Sequence, residues 1–138
     1  MVLYTRCIFP PREAEDGVRI SVMSRHTLND GITPDPRLEG MYDEWLQELA
    51  PPGRLVGSYY KRDLSWGRYH GLYIAFLRSR LAIPHVRELA QRAIHEDITL
   101  LCVEPTPECC HRRLLAEECS RWEPRLEIAH KMPSDHKF

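Results

Sequence analysis

The sequence predicts an α/β fold: a single compact domain in which helices flank a small sheet, parallel or mixed. Helical and strand-like segments alternate through the second half of the chain, which is typical of this class. Residues 97–103 form an almost continuous apolar run, as expected of a central strand covered on both faces. The 138 residues suit one domain, so we expect residues 1–132 to fold together and residues 133–138 to form a frayed tail.

The first quarter of the chain contains two predicted strands. Residues 2–9 (VLYTRCIF) are rich in β-branched and aromatic types. The segment PPREAEDG follows, in which proline and the Asp-Gly pair favour a turn. Residues 18–23 then place Val18, Ile20 and Val22 at alternate positions, which predicts a strand with one face in the core. A hairpin of these two strands would make the sheet mixed.

Three amphipathic helices are predicted in the middle of the chain. Residues 35–49 begin with Asp35 and Pro36, which suit a helix cap and a first turn, and continue with apolar residues at helical spacing. The same spacing predicts a second helix over residues 65–80 and a third from Pro84.

The last third of the chain completes the predicted α/β order. After the strand at 97–103, a helix is expected to begin at Pro107, with Thr106 as its cap. Residues 125–130 (RLEIAH) predict a short closing strand. Residues 54–63 (RLVGSYYKRD) indicate either a short strand or an ordered loop.

Composition limits the classes of protein to which the chain can belong. A net charge of −1 gives no global field for nucleic acid or anionic membranes, and no apolar run is long enough to span a bilayer. The N-terminus lacks the pattern of an export signal. Four of the five cysteines lie within twenty residues, unlike a disulfide framework, so we expect reduced cysteines and a cytoplasmic protein.

Reactive side chains concentrate at one strand-to-helix junction, LLCVEPTPECCHRRLLAEEC (residues 100–119). Cys102 and Glu104 end the central strand, while Cys110, His111 and Arg112 lie near the start of the next helix. Ligands of open α/β sheets collect at the carboxyl ends of strands. A helix N-terminus attracts anions and lowers the pKa of a nearby thiol. The junction therefore predicts a ligand site.

The first hypothesis for the junction is an enzyme with a small anionic substrate. Cys110 or Cys102 would be the nucleophile, Glu104 or His111 the acid/base, and Arg112 the group that holds a phosphate or carboxylate. The alternative is packing, because free cysteines are among the most buried residue types. In that interpretation Glu104 and Arg112 form a salt bridge between strand and helix.

A metal centre is the second hypothesis, and the spacing argues against it. The junction has no Cys-x-x-Cys pair, and the adjacent residues Cys109 and Cys110 would point in different directions on a helix. Cys119 belongs to the packing face of that helix. A phosphatase-like loop is also unsupported, since the sixth residue after Cys102 is Glu108 rather than arginine. We therefore expect no metal and no cofactor.

A second polar cluster follows the strand at 18–23. Ser24 and Arg25 would leave this strand where its carboxyl end opens, and arginine binds carboxylate and phosphate well. If this strand lies parallel and next to the strand at 97–103, the two clusters share one pocket. The alternative is a solvated loop.

Aromatic residues alternate with basic ones in SYYKRDLSWGRYHGLY (residues 58–73). Nucleic-acid surfaces share this composition. Trp66, Tyr69 and Tyr73 also fit the inner face of an amphipathic helix, so core packing accounts for most of the pattern. A non-catalytic module that binds nucleic acid or protein stays open as the alternative function.

The stretch LLCVEPTPECCHRRLLAE resembles the bacterial and archaeal family called domain of unknown function 488. Its hallmark is an apolar strand ending in Cys-x-Glu, a short loop, Cys-His-Arg and a Leu-rich helix, matched here by Cys102, Glu104, Cys110, His111 and Arg112. DGVRISV and YDEWLQELAPPGRLVGSYYKRDLSWGRYHGLY are similar to other parts of the family. MSRHTLNDG lacks the Leu-Trp-Pro-Arg-Gly run of some branches, so those loop residues are not carried over. The resemblance implies a compact α/β domain with one pocket at the strand ends.

These observations favour a protein that binds a small anion, either phosphate or carboxylate. An enzyme that uses a Cys/Glu/His/Arg pocket is an extension of that interpretation. The candidate catalytic residues are Cys102, Glu104, Cys110 and His111. The candidate anion-binding residues are Arg112, Arg25 and Ser24.

Overall fold

A five-stranded parallel sheet forms the centre of the protein in a computed structural model, which describes residues 2–55 and 64–132. The spatial order of the strands is β3-β2-β4-β1-β5. The strands are β1 (Val2–Cys7), β2 (Val18–Ser21), β3 (Glu44–Trp45), β4 (Ile98–Cys102) and β5 (Glu127–His130). The prediction of a single compact α/β domain is confirmed, and the sheet is parallel rather than mixed.

The first two strands do not form the hairpin that would have made the sheet mixed. β1 and β2 both pair with β4, which lies between them, so that Thr5 and Ile20 each lie beside Leu100. All five residues of β4 are buried, which explains why this apolar strand takes the central position. The expectation of one buried face for β2 is wrong, because Arg19 and Ser21 are as inaccessible as Ile20.

Three helices carry most of the apolar core. They are α1 (Trp66–Leu77), α2 (Ile83–Ala93) and α3 (His111–Trp122). Ser65 caps α1 by accepting a hydrogen bond from the backbone N–H of Arg68, and Pro84 lies in the first turn of α2. Leu77, Leu89 and Leu115 from the three helices share one buried cluster with Leu100. None of the helices in the described ranges has the length and apolarity needed to cross a bilayer.

Two helix predictions need correction. Residues 35–49 do not form one helix: two 3-10 turns, Pro36–Leu38 and Gln47–Leu49, flank β3. Gly40 has a positive φ of 77° between them, and Trp45 Nε1 donates to the carbonyl oxygen of Met23 at 2.7 Å. These contacts of a short edge strand override the helical spacing of the sequence.

The helix expected from Pro107 begins at His111 instead. Cys110 is its N-cap in an extended conformation (φ −130°, ψ 139°), and Thr106 and Pro107 lie in the preceding loop. Most of the segment 54–63, and the tail at 133–138, lie outside the described residues.

A buried charge cluster connects β1 and β2 across β4. Asp16 Oδ2 accepts hydrogen bonds from Arg6 Nη1 at 2.7 Å and from Arg19 Nη1 at 2.8 Å. Arg19 also donates to the carbonyl oxygens of Met41 and Ile8, which covers the sheet face opposite to Ile20. Burial raises the pKa of Asp16, but backbone and arginine hydrogen bonds outweigh it and hold the pKa below the usual range.

Replacing Asp16 with asparagine should lower the free energy of unfolding by about 3–5 kcal/mol at neutral pH, because two buried guanidinium groups lose their anion. Urea denaturation measures this loss, and Asp97→Asn, a change at an exposed carboxylate, is the matched control. Because the folded pKa of Asp16 is depressed, its contribution exists above the unfolded pKa and is lost as pH falls through the folded pKa. Equal stability of wild type and Asp16→Asn at neutral pH would contradict the assignment.

Candidate functional site

A cavity of about 640 Å³ opens at the carboxyl ends of β2 and β4. Ser24 and Arg25 follow β2, Cys102 and Glu104 end β4, and His111 begins α3, and all five line the cavity. β2 and β4 are parallel neighbours, which is the condition under which the sequence predicted a shared pocket. This edge of the sheet is where α/β proteins bind their ligands.

Cys110 and Arg112 lie behind the cavity wall rather than in it. Cys110 is 2% exposed and Arg112 is fully buried, and neither lines the cavity. The sequence named Cys110 among the possible nucleophiles and Arg112 as a direct ligand of the anion. From this position Cys110 and Arg112 can influence the neighbouring Cys102, but they do not face the space that a bound molecule would occupy.

His111 has its tautomer fixed by the backbone. Its Nε2 atom lies 2.6 Å from the carbonyl oxygen of Val22. A carbonyl oxygen only accepts, so Nε2 carries the proton and Nδ1 of the neutral ring is left as an acceptor. Nδ1 faces Cys102 Sγ at 3.8 Å, and the edge of the Tyr73 ring packs against the imidazole. His111 is thereby oriented to take the thiol proton of Cys102.

The surroundings of Cys102 favour its thiolate. The hydrogen bond from Cys110 is the largest cause that lowers the pKa of Cys102; burial opposes it, and the positive charge of Arg112 then lowers the pKa further. The backbone N–H groups of Val103 and Glu104 act in the same direction. Cys102 therefore ionises more easily than an ordinary cysteine although it is only 6% exposed.

Cys110 has the opposite character. Burial raises its pKa well above the ordinary value, and the hydrogen bond and negative charge of Cys102 raise it further. Of the two nucleophiles that the sequence left open, the geometry favours Cys102, because Cys102 lines the cavity and Cys110 does not.

Arg112 is a buried cation with unused hydrogen-bonding capacity. Its Nη1 atom donates to the carbonyl oxygen of Glu104 at 2.7 Å and lies 3.4 Å from Cys110 Sγ, while Nε and Nη2 have no hydrogen-bond partner. Within residues 2–55 and 64–132, no carboxylate forms an ion pair with this guanidinium, so the Glu104–Arg112 salt bridge of the packing alternative is absent there. A buried cation favours a nearby anion, and the charge of Arg112 lowers the pKa of the Cys102 thiol.

The outer wall of the cavity contains two arginines in different states. Arg37 forms a salt bridge with Asp35 at 2.7 Å, which neutralises its charge. Arg25 is exposed and makes no hydrogen bond or ion pair with the described residues. Ser24 donates its hydroxyl proton to the carbonyl oxygen of Pro51 at 2.7 Å, so its oxygen can only accept from a ligand. Arg25 is therefore the cavity-wall arginine without a direct ion pair, and its charge helps to lower the pKa of the nearby Asp30.

Three potential metal ligands meet at the junction. The ligand atoms of Cys102, Cys110 and His111 all lie within 4.8 Å of one another, closer than the sequence spacing suggested. A structural zinc site needs four protein donors, and no fourth histidine, cysteine or carboxylate joins this group in the part of the chain that the structure describes, whereas a catalytic zinc site needs only three and a water. The guanidinium of Arg112 beside Cys110 already supplies positive charge at this place, which disfavours a cation there. Cys109 is exposed, and Cys119 packs in the core as the sequence predicted.

Sequence reasoning missed the groups that orient His111. The carbonyl oxygen of Val22 has no signature in the sequence, because any residue at that position presents the same backbone atom. Tyr73 was predicted as a core residue, and its ring contact with His111 depends on how α1 and α3 pack. The pair of Asp35 and Arg37 is separated by one residue, a spacing that predicts no specific contact.

A comparison with protein-family models matches residues 3–122 to the model described as "Active DUF488-N3 subclade" (DUF488-N3a). Searches of curated proteins and of solved structures gave no significant match.

Replacing Arg112 with glutamine should slow alkylation of Cys102 by iodoacetamide at neutral pH about tenfold, because the thiolate loses a nearby buried cation. The rate is measured by mass spectrometry after cleavage at Glu108, which separates Cys102 from Cys109 and Cys110. The rate at exposed Cys109 is the internal reference.

The substitution Arg121→Gln on the same helix is the matched control, because Arg121 is exposed and pairs with Glu118 at the far end of α3. This variant should leave the rate at Cys102 within about twofold of wild type, since the distant charge is screened by solvent. An equal effect of the two substitutions would show that Arg112 has no specific influence on Cys102.

Proposed function

The chain belongs to the domain of unknown function 488 (DUF488) family, and we propose that it binds a small anion in the strand-end cavity and attacks it with the thiolate of Cys102. The observation that carries this proposal is the position of Cys102. It lines the cavity while Cys110, Arg112 and two backbone N–H groups favour its ionised form. The word "active" in the description of the matching subclade agrees with a catalytic role.

His111 is the proton carrier in this proposal. Nδ1 first accepts the proton of the Cys102 thiol, and the thiolate that this leaves forms a bond to the electrophilic atom of the substrate. The resulting imidazolium gives that proton to the leaving group. The carbonyl oxygen of Val22 keeps the ring in place throughout, which is the role of the third group in a nucleophile–base–orienter arrangement. Glu104, on the same wall, is placed to activate water in a later hydrolytic step.

Arg25 supports the choice of an anionic ligand. Its guanidinium forms no direct ion pair with the described residues, although the carboxylate of Asp30 is near enough to interact with its charge, while Arg37 is already paired with Asp35. Arginine binds phosphate and carboxylate with two parallel hydrogen bonds. A substrate with one such group would place its charge at Arg25 and its reacting atom at Cys102. Ser24, beside Arg25, can accept a hydrogen bond from the same molecule.

The alternative of a non-catalytic nucleic-acid or protein-binding module has less support. Tyr69 and Tyr73 are buried in the core or against the cavity, so these two aromatic residues are not available for base stacking. The basic residues Lys61 and Arg62 lie outside the described part of the chain.

We also place the protein in a reducing compartment, the cytoplasm. All five cysteines are free, and Cys102 requires its reduced form for the proposed chemistry.

Two alkylating reagents with the same reactive carbon test the anion site. Iodoacetate is negatively charged and iodoacetamide is neutral, so the ratio of their rates at one thiol measures attraction of an anion. We expect this ratio to be higher at Cys102 than at Cys109, and Arg25→Gln to lower it at Cys102 about threefold to tenfold. Inorganic phosphate should slow the iodoacetate reaction at Cys102 in wild type.

Arg68→Gln is the matched control for the change in net charge, because Arg68 is exposed on α1 and does not line the cavity. It should leave the ratio at Cys102 unchanged. A ratio at Cys102 that equals the ratio at Cys109, or that Arg25→Gln does not alter, speaks against the anion site. The rate with neutral iodoacetamide separately reports whether Cys102 is a reactive thiolate.

A further inference from the structure

The proposed reaction uses one sulfur of the junction and leaves a second one beside it. Cys110 Sγ lies within 4.8 Å of Cys102 Sγ, and both thiols are free and buried. A disulfide needs the sulfurs about 2 Å apart, a change that rotation of the two side chains can supply when the backbone permits it.

The backbone around Cys110 is not locked into a helix. Cys110 precedes the first residue of α3, has an extended conformation, and ends the loop that leads from β4. Its N–H donates to the carbonyl oxygen of Pro107 in the same loop, at 3.3 Å. Cys110 therefore lies at the boundary between the loop and α3 rather than within the helix. Cys102, at the end of β4, is the fixed partner.

The two thiols differ in the way that a reactive and a resolving cysteine differ. Cys102 lines the cavity, through which an oxidant reaches it, and Cys110 does not, so Cys102 is the sulfur that reacts first. Burial keeps Cys110 protonated while Cys102 is a thiolate. Once Cys102 has lost its negative charge, the contact of Arg112 Nη1 with Cys110 Sγ favours ionisation of Cys110 instead.

We propose that Cys102 and Cys110 form a redox pair, which hydrogen peroxide converts into an intramolecular disulfide that reversibly blocks the nucleophile. This inference rests on the proposed thiolate chemistry of Cys102.

The chemistry balances in two steps. The Cys102 thiolate attacks one peroxide oxygen, the O–O bond breaks, and the departing hydroxide is protonated to water, which leaves Cys102 as a sulfenic acid. The sulfur of Cys110 then attacks Cys102 Sγ. The S–S bond forms, the S–O bond breaks, and the proton of Cys110 leaves with the hydroxide as a second water. Added dithiol reduces the disulfide and restores the thiolate.

The test oxidises the full-length Cys109→Ser protein with hydrogen peroxide, because this background removes the competing exposed thiol. Remaining thiols are blocked and the chain is cleaved at Glu108, which separates Cys102 from Cys110. Mass spectrometry without reduction should find peptides 97–108 and 109–117 joined by a disulfide, and dithiol should separate them. The Cys102→Ser variant should give no oxidation of Cys110 at the same peroxide dose.

A second variant separates this inference from the proposed function. In Cys109→Ser/Cys110→Ser, a cyclic 1,3-dione should trap the sulfenic acid at Cys102, since no resolving thiol remains. If the sulfenic acid is trapped in this variant but the Cys109→Ser protein forms no disulfide, the redox pair is overturned. The proposal that Cys102 is a reactive thiolate would not be affected. If no adduct forms in this variant and no disulfide forms in the parent protein, both proposals are overturned. Stoichiometric zinc in the purified protein, which would protect the sulfurs from peroxide, also overturns both.

Discussion

The buried guanidinium of Arg112 is the constraint on which the proposed site depends. It is fully inaccessible, has two nitrogen atoms without hydrogen-bond partners, and lies against the sulfur of Cys110. A buried charge is costly unless an opposite charge accompanies it, and within the described ranges no carboxylate does so. The charge of Arg112 lowers the pKa of the Cys102 thiol. In the proposed site, Arg112 acts through the sulfurs rather than through direct contact with a ligand.

The fold brings these groups together because β4 occupies the centre of a parallel sheet. Its neighbours β1 and β2 cover both of its edges, so Cys102 ends in a protected position next to the segment that leaves β2. That adjacency brings the carbonyl oxygen of Val22 to His111 and Arg25 to the cavity wall. The strand order thus determines which residues share the site, although these residues are far apart in the sequence.

The sequence predicted the elements with strong local patterns and failed where tertiary contacts decide. The apolar run of β4 and the amphipathic spacing of α1 and α2 were sufficient to predict these three elements. Residues 35–49 have helical spacing, yet Gly40 and the hydrogen bond of Trp45 divide them into short turns and an edge strand. The junction was recognised from its residue types. Which of its residues line the cavity and which lie buried behind it depends on how the strands and α3 pack, and the sequence does not show this. Burial of Arg112 has no signature in a sequence, where arginine reads as a surface residue.

The ionisation of Cys102 in the native protein tests the central claim most directly. Labelling cysteine with carbon-13 at Cβ allows each thiol to be titrated by NMR, and Cys102→Ser identifies the resonance of Cys102. We expect Cys102 to ionise at a lower pH than exposed Cys109, because Cys110 and Arg112 stabilise its thiolate. Ionisation of Cys102 at the same pH as Cys109, or at a higher pH, would contradict this account, because burial would then outweigh every stabilising contact.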